Sequence, residues 1–158
     1  KSVSYHSRNS RKRNKVNVLK VTGFDNREKT WDLSRYIPKK DSTRPTTNLH
    51  GASRLVLREL FPRSIILEEV ALPGSRTLTR KSTLYADFFL PSHDLIVEAH
   101  GIQHYEFNEF YHKTKAGFFK SKSRDRDKIR WCELNNLSIV IFKYSDNEDD
   151  WKKAILER

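Results

Sequence analysis

Between Tyr85 and Tyr105 two short apolar runs flank a turn, one interrupted by an acid and the other ending on one. Tyr85 to Leu90 (Tyr-Ala-Asp-Phe-Phe-Leu) is rich in aromatics and is broken only by Asp87, and Leu95-Ile96-Val97 leads directly to Glu98. Pro91-Ser92-His93-Asp94 between them has turn chemistry, and Gly101 bounds the second run. The pattern predicts two buried strands. Side chains alternate across a strand, so Glu98 and His100 share a face. If the strands pair as a hairpin, Asp87 comes near both. Two carboxylates and an imidazole at one end of an apolar sheet are costly to bury without a partner. A divalent ion is a natural one, and oxygen donors suit Mg2+ or Mn2+. The simpler alternative makes Asp87 and Glu98 surface acids on an edge hairpin. The apolar neighbours of each acid favour a site.

Other elements surround this hairpin. Gly51 to Phe61 carries Leu55, Val56, Leu57, Leu60 and Phe61 and reads as a helix stopped by Pro62. Ile65 to Val70 reads as a strand closed by Pro73-Gly74-Ser75, followed by a basic loop with Arg76, Arg80 and Lys81. A helix is expected around Arg126 to Cys132, then a strand from Leu137 to Phe142. Asp146 to Arg158 has acids first and Lys152 and Lys153 later, as a helix dipole favours, with Trp151, Ile155 and Leu156 to pack it on the sheet. The class is α/β.

Glu98-Ala99-His100-Gly101-Ile102-Gln103-His104 behind the Asp87 strand, followed by Arg126-Asp127-Lys128, Asn135-Asn136 and the Leu137 to Phe142 run, resembles the PD-(D/E)XK, or restriction-endonuclease-like, nuclease superfamily. The similarity is to its very-short-patch-repair-like branch and related phage homing endonucleases, and it covers residues 49 to 158. It implies a central mixed β-sheet with helices on both faces, built from a helix, a three-stranded meander, then a helix and a strand. It also implies a Mg2+- or Mn2+-dependent DNA endonuclease, either a phage or mobile-element homing enzyme or a mismatch-repair-like nickase. Asp87 and Glu98 are then the metal ligands, alone or with the Ala99 carbonyl. Most relatives carry Lys where His100 stands; an imidazole there serves as general base, or donates to phosphate when protonated. Gln103 and His104 are implied to face the scissile phosphate, against a structural role in tying down backbone or capping the sheet edge. Asp127 matches an acid that orients a catalytic His, with Asp125 as the alternative. Glu59 is the acid available on the first helix, though late in it, and a surface role is at least as well supported; His50 is a lesser candidate. A non-catalytic nucleic-acid-binding protein keeping this fold within a larger assembly is the competing reading.

Charge fits a polyanion partner. The formal net charge is +11, and residues 1 to 48 hold 13 Lys and Arg against 4 Asp and Glu. The expected organisation is a basic N-terminal arm, residues 1–48, and a nuclease domain, residues 49–158, acting on double-stranded DNA as a monomer, a homodimer or part of a larger assembly. Arg11, Lys12 and Arg13 are expected to follow a phosphate backbone, or to belong to a solvated tail. Val16 to Val21 is expected as a short strand before a turn at Gly23 and Asp25-Asn26, and Trp31, Leu33, Tyr36 and Ile37 as one helical turn packed on the main domain. Arg80 and Lys81 are expected at the DNA, as are Lys113, Lys115, Lys120, Lys122, Arg124 and Arg126 on a basic loop whose rings Tyr111, Phe118 and Phe119 tuck into the core. The single Cys132 excludes an internal disulfide and reads as a small buried hydrophobe. His93 and His112 read as ordinary loop residues. No apolar run is long enough to span a membrane. The cytoplasm of a bacterial or phage-infected cell is the expected location, with an organellar matrix the alternative that the Arg- and Ser-rich start suggests. The absence of Met suggests a trimmed piece of a longer product.

Overall fold

The computed structural model describes residues 4–5, 18–37 and 47–158. Arg11, Lys12 and Arg13 lie outside them. A small antiparallel sheet has the order β1-β2-β3, with β1 at Ser4–Tyr5, β2 at Val18–Thr22 and β3 at Glu28–Asp32. Asn26 adopts φ 61° in the β2–β3 turn, and the Asp25 carboxylate accepts from the Arg27 N–H. One 3-10 turn, Ser34–Tyr36, follows. Trp31 thus sits on a strand, and only the next residues make the expected helical turn.

The main sheet has the order β4-β5-β6-β7. β4 (Leu67–Ala71), β5 (Tyr85–Leu90) and β6 (Leu95–His100) form an antiparallel meander, and β7 (Ser138–Lys143) joins parallel to β6. A parallel neighbour needs a long crossover, here supplied by helix. α1 spans Asn48–Leu60, with the Thr47 hydroxyl accepting from the His50 N–H, and Pro62 lies just beyond its end. α2 is the short Glu109–His112, and α3 runs from Lys115 to Leu134 with Thr114 as N-cap. α4, Glu148–Leu156, opens with a capping box between Asn147 and Asp150.

Residues 113 to 130 therefore lie largely on a helix rather than a loop. Lys and Arg are good helix formers and Thr114 supplies the cap, so a weak apolar pattern hid the element. Alternation sorts the sheet residues between two cores. Phe88, Leu90, Leu95, Val97, Val140 and Phe142 pack against Val56 and Leu57 of α1 and Trp151 and Ile155 of α4. Phe89, Ile96, Leu67 and Val70 pack on the other side with Trp131 and Cys132 of α3.

Leu19, Val21, Trp31 and Leu33 belong to this second core, with Trp31 stacked on Phe89 at 4.5 Å. Part of the expected arm is thus packed into the same unit as the sheet. Buried Asn135 fixes the join: its side-chain oxygen accepts from the Thr22 N–H at 2.7 Å, and its amide donates to the Thr22 carbonyl at 3.1 Å. Gly74, at φ 70°, permits a second close approach, since a Cβ there would lie 2.4 Å from the Gly23 Cα. Among the described residues no helix is long and apolar enough to cross a membrane.

Candidate active site

Asp87 sits where the β5 ladder breaks on both sides. The β5–β6 pairing runs from Leu90↔Leu95 to Phe88↔Val97 and stops before the rung that would join Asp87 to Glu98. Side chains replace the missing ladder bonds. The Asp87 N–H donates to Glu98 Oε2 at 2.7 Å, and the Ala99 N–H donates to Asp87 Oδ2 at 2.8 Å. On the other side, pairing to β4 skips Glu69, which lies opposite Asp87 in the register with φ 51°. β6 meanwhile stays paired to β7 as far as His100↔Lys143. The hairpin opens just where its two acids stand.

α3 covers this opening. Ser121, Arg124, Asp125 and Lys128 fall at helical spacing on one face, and with Glu69, Thr83, Tyr85, Asp87, Gln103 and His104 they line a cavity of about 580 Å3. Lys128 forms a very close ion pair with Glu98 Oε1. Glu98 is 1% exposed, and burial raises its pKa to about 7, helped by Asp87 and opposed by Lys128. Burial pulls the Lys128 ammonium down, but Glu98 outweighs it and the pKa is raised.

His104 Nδ1 lies 2.9 Å from Asp125 Oδ2. Burial pushes the Asp125 carboxyl up, yet the His104 contact prevails and holds it below the usual carboxylate value. An ionised carboxylate only accepts, so His104 donates to Asp125 through its Nδ1–H, and Nε2 is the ring nitrogen left for another partner. His100 stacks against His104, with ring centroids 3.9 Å apart and planes 7° apart. His100 is buried, and burial followed by the neighbouring His104 lowers its pKa to about 4, so it is neutral at neutral pH. Its Nε2 has no hydrogen-bond partner and lies 4.0 Å from Asp125 Oδ1. Gln103 folds its amide over Gly101 and reaches the cavity wall.

The structure gathers Asp87, Glu98, His100, Gln103 and His104 and separates two other expected site acids from them. Asp127 is two residues from Asp125, which turns it to another side of α3. There Arg80 donates to it at 2.9 Å, and Arg130 lies 3.3 Å away. Asp125 takes the place beside the imidazole. Arg80 is held by this pair and by the Ser75 and Ser82 carbonyls, so its guanidinium is a structural tie between the loop and α3 rather than an open phosphate contact. Glu59 is exposed and pairs with Lys152 of α4 at 3.1 Å, since α1 packs on the opposite face of the sheet. His50 on α1 contacts Glu68 at 2.7 Å and stacks on Phe88, also on that face.

Lys128, Asp125 and Glu69 are the cavity residues that motif spacing did not single out as the main candidates. The i, i+3, i+7 series Asp125, Lys128, Cys132 was the available signal. Lys81, Lys113, Lys115, Lys120, Arg124 and Arg126 are exposed; Lys122 is half-buried, 5.0 Å over the Tyr105 ring. Tyr111 and Phe119 are 57% and 65% exposed, contrary to their expected place in the core, and Phe110 is 82% exposed. His112 is buried rather than an open loop residue: its Nδ1 accepts from the Asn108 N–H. His93 packs on Phe61 and contacts Ser64 at 2.8 Å. Cys132 is buried, and burial pushes its thiol up to about 12, in keeping with a packing role.

A divalent ion fits the donor set unevenly. Asp87 lines the cavity with its carboxylate and spends an oxygen only on a backbone N–H. Glu98 has both oxygens engaged, one by backbone and one by Lys128, so it would join an ion only on releasing Lys128.

No protein-family model and no solved structure matches the chain. Two viral proteins are similar over part of it. Uncharacterized protein 033L of Invertebrate iridescent virus 3 is 36% identical over 64 residues, 40% of this chain and 33% of that protein. Uncharacterized protein 307L of Invertebrate iridescent virus 6 is 37% identical over 62 residues, 39% of this chain and 32% of that protein. The chain spans about a third of the length of these curated relatives.

Proposed function

We propose that the chain is a metal-dependent endonuclease of the PD-(D/E)XK kind, hydrolysing phosphodiester bonds in DNA. The observation that carries this reading is the convergence of Asp87, Lys128 and the His104–Asp125 pair on one cavity at the opening of a hairpin. The order α1, meander β4-β5-β6, α3, parallel β7 supports a restriction-endonuclease-like core. Asp87 and Glu98 would hold Mg2+ or Mn2+, which supplies Lewis acidity and a lowered pKa for bound water. His104 is oriented by Asp125 with its Nε2 lone pair available to take a proton, a contribution of about 100- to 10,000-fold in rate. Lys128 stands beside Glu98 as the cation that the sequence lacks two residues after that acid, placed to meet charge on the phosphate. Lys113, Lys115, Lys120, Arg124 and Arg126 give α3 and its approach an exposed basic surface for the backbone.

Cleavage of supercoiled plasmid in Mg2+ or Mn2+ tests the reading. Nicked or linear product from wild type, absent with Asp87→Ala and Glu98→Ala, supports it. Equal cleavage by wild type and Asp87→Ala contradicts it. One observation favours the non-catalytic alternative: the Glu98–Lys128 pair already neutralises the buried acid without an ion. Salt-sensitive DNA binding with no cleavage of any plasmid or genomic substrate in either metal selects that alternative.

A further inference from the structure

We infer that His100, His104 and Asp125 form a second divalent-metal site, of nitrogen-rich character and selective for zinc-like transition ions, beside the carboxylate pair. Binding stands on the geometry alone; its consequence for hydrolysis rests on the function proposed above.

One ligating atom from each of the three residues lies within 4.8 Å of the others. The backbone holds the two imidazoles close: His100 ends β6 and His104 ends the 3-10 turn Ile102–His104, so a single turn separates them and their rings lie parallel. Asp125 comes from α3, a different element packed over the turn. Zinc takes imidazole nitrogen at about 2.0–2.1 Å and carboxylate oxygen at about 2.0–2.2 Å. An imidazole lone pair lies in its ring plane, so the stacked His100 and His104 rings must tilt toward one another for all three donors to reach one ion.

His100 is the independent sign of a ligand. The residue is 4% exposed, yet its Nε2 has no hydrogen-bond partner and lies 4.0 Å from Asp125 Oδ1. A buried polar nitrogen without a partner is costly, and that separation is too long for a direct hydrogen bond. An ion between the two supplies the missing contact. Two imidazoles and one carboxylate suit Zn2+, Co2+ or Ni2+, whereas the all-oxygen Asp87 and Glu98 pair suits Mg2+ or Mn2+. The ammonium of Lys128 is nearby but is committed to Glu98. The side facing the cavity, which His104 and Asp125 line, leaves room for water as a further ligand. An ion there engages His104 and Asp125, so Zn2+ would inhibit a hydrolysis that depends on that imidazole.

Titration of the full chain with Co2+, followed by its visible d–d absorption and by Zn2+ competition, tests this. Wild type and Asp87→Asn should both show a saturable band that Zn2+ abolishes. His100→Gln and Asp125→Asn should each weaken Co2+ binding by about ten-fold or more. Far-UV circular dichroism checks that each variant is folded, and His104→Gln provides a further variant should one of them fail. No band with wild type, a band untouched by any folded variant of the three, or a band lost in Asp87→Asn overturns the site. A band that behaves as expected in a protein that cleaves nothing upholds the site and removes only its consequence for hydrolysis.

Discussion

Two buried ionic clusters stand on opposite faces of one sheet, and they are finished to different degrees. On the α1 face Glu68 accepts from Arg54 Nε at 2.8 Å and from its NH2 group at 2.7 Å, with His50 at 2.7 Å as a third partner. Burial pushes Glu68 up, but His50 and Arg54 together bring its pKa down to about 2. On the α3 face Glu98 has one Lys, sits beside another acid, and is raised to about 7. There, too, His100 lacks a partner and a cavity opens. A bidentate guanidinium closes a site, whereas a single ammonium among acids and imidazoles leaves electrostatic work for a ligand to complete. The first cluster holds the fold, and the second is where chemistry is expected.

The largest effect that sharpens this contrast is on catalysis. Asp87→Asn should lower plasmid cleavage by more than about 100-fold while leaving the melting temperature near that of wild type, because its carboxylate makes one structural hydrogen bond in a cavity wall. Glu68→Gln should do the reverse. It leaves Arg54 buried without its counter-charge, costing about 3 kcal/mol in urea unfolding, with cleavage by the folded fraction retained.

The pH dependences should differ in sign. A carboxyl depressed to about 2 contributes stability above its ordinary value near 4.5, and that contribution is lost as pH falls toward 2. The advantage of wild type over Glu68→Gln should therefore be full at neutral pH and fade over that window, by at most about 3 kcal/mol. Glu98 is raised, so its native form takes up a proton before the unfolded chain does as pH falls. Stability of wild type relative to Glu98→Gln should decline as pH rises from about 4.5 to about 7, as read from paired melting curves. A parallel pH response of the two differences would erase the contrast. The smallest effect belongs to Glu59→Ala: solvent screens its exposed pair with Lys152, so the melting temperature and cleavage should both stay near those of wild type.

The hairpin was legible because its two apolar runs are short, dense and punctuated, and β5 spans the expected Tyr85–Leu90. Alternation also put Glu98 and His100 together. What escaped was decided by helix rotation and long-range packing. Asp125 and Asp127 are equally polar neighbours, and only the docking of α3 turns one to His104 and the other to Arg80. Lys128 was hidden in a run of eight basic residues, which disguised a buried ion pair as surface charge. β3 was missed because Glu28, Lys29, Thr30 and Asp32 mask the one large apolar side chain, Trp31, that anchors it. Motif order located the hairpin acids, and of the two roles open to Glu59 the structure shows the surface one, because α1 covers the other face.

The most direct test compares Asp87→Asn and Glu68→Gln side by side in single-turnover nicking of supercoiled DNA with Mg2+ or Mn2+, each rate normalised to the folded fraction. The α3-face cluster as catalytic centre requires loss of nicking in Asp87→Asn and near-wild-type nicking in Glu68→Gln. Persistence of cleavage in Asp87→Asn, or its loss in folded Glu68→Gln alone, would place the chemistry elsewhere and contradict the account.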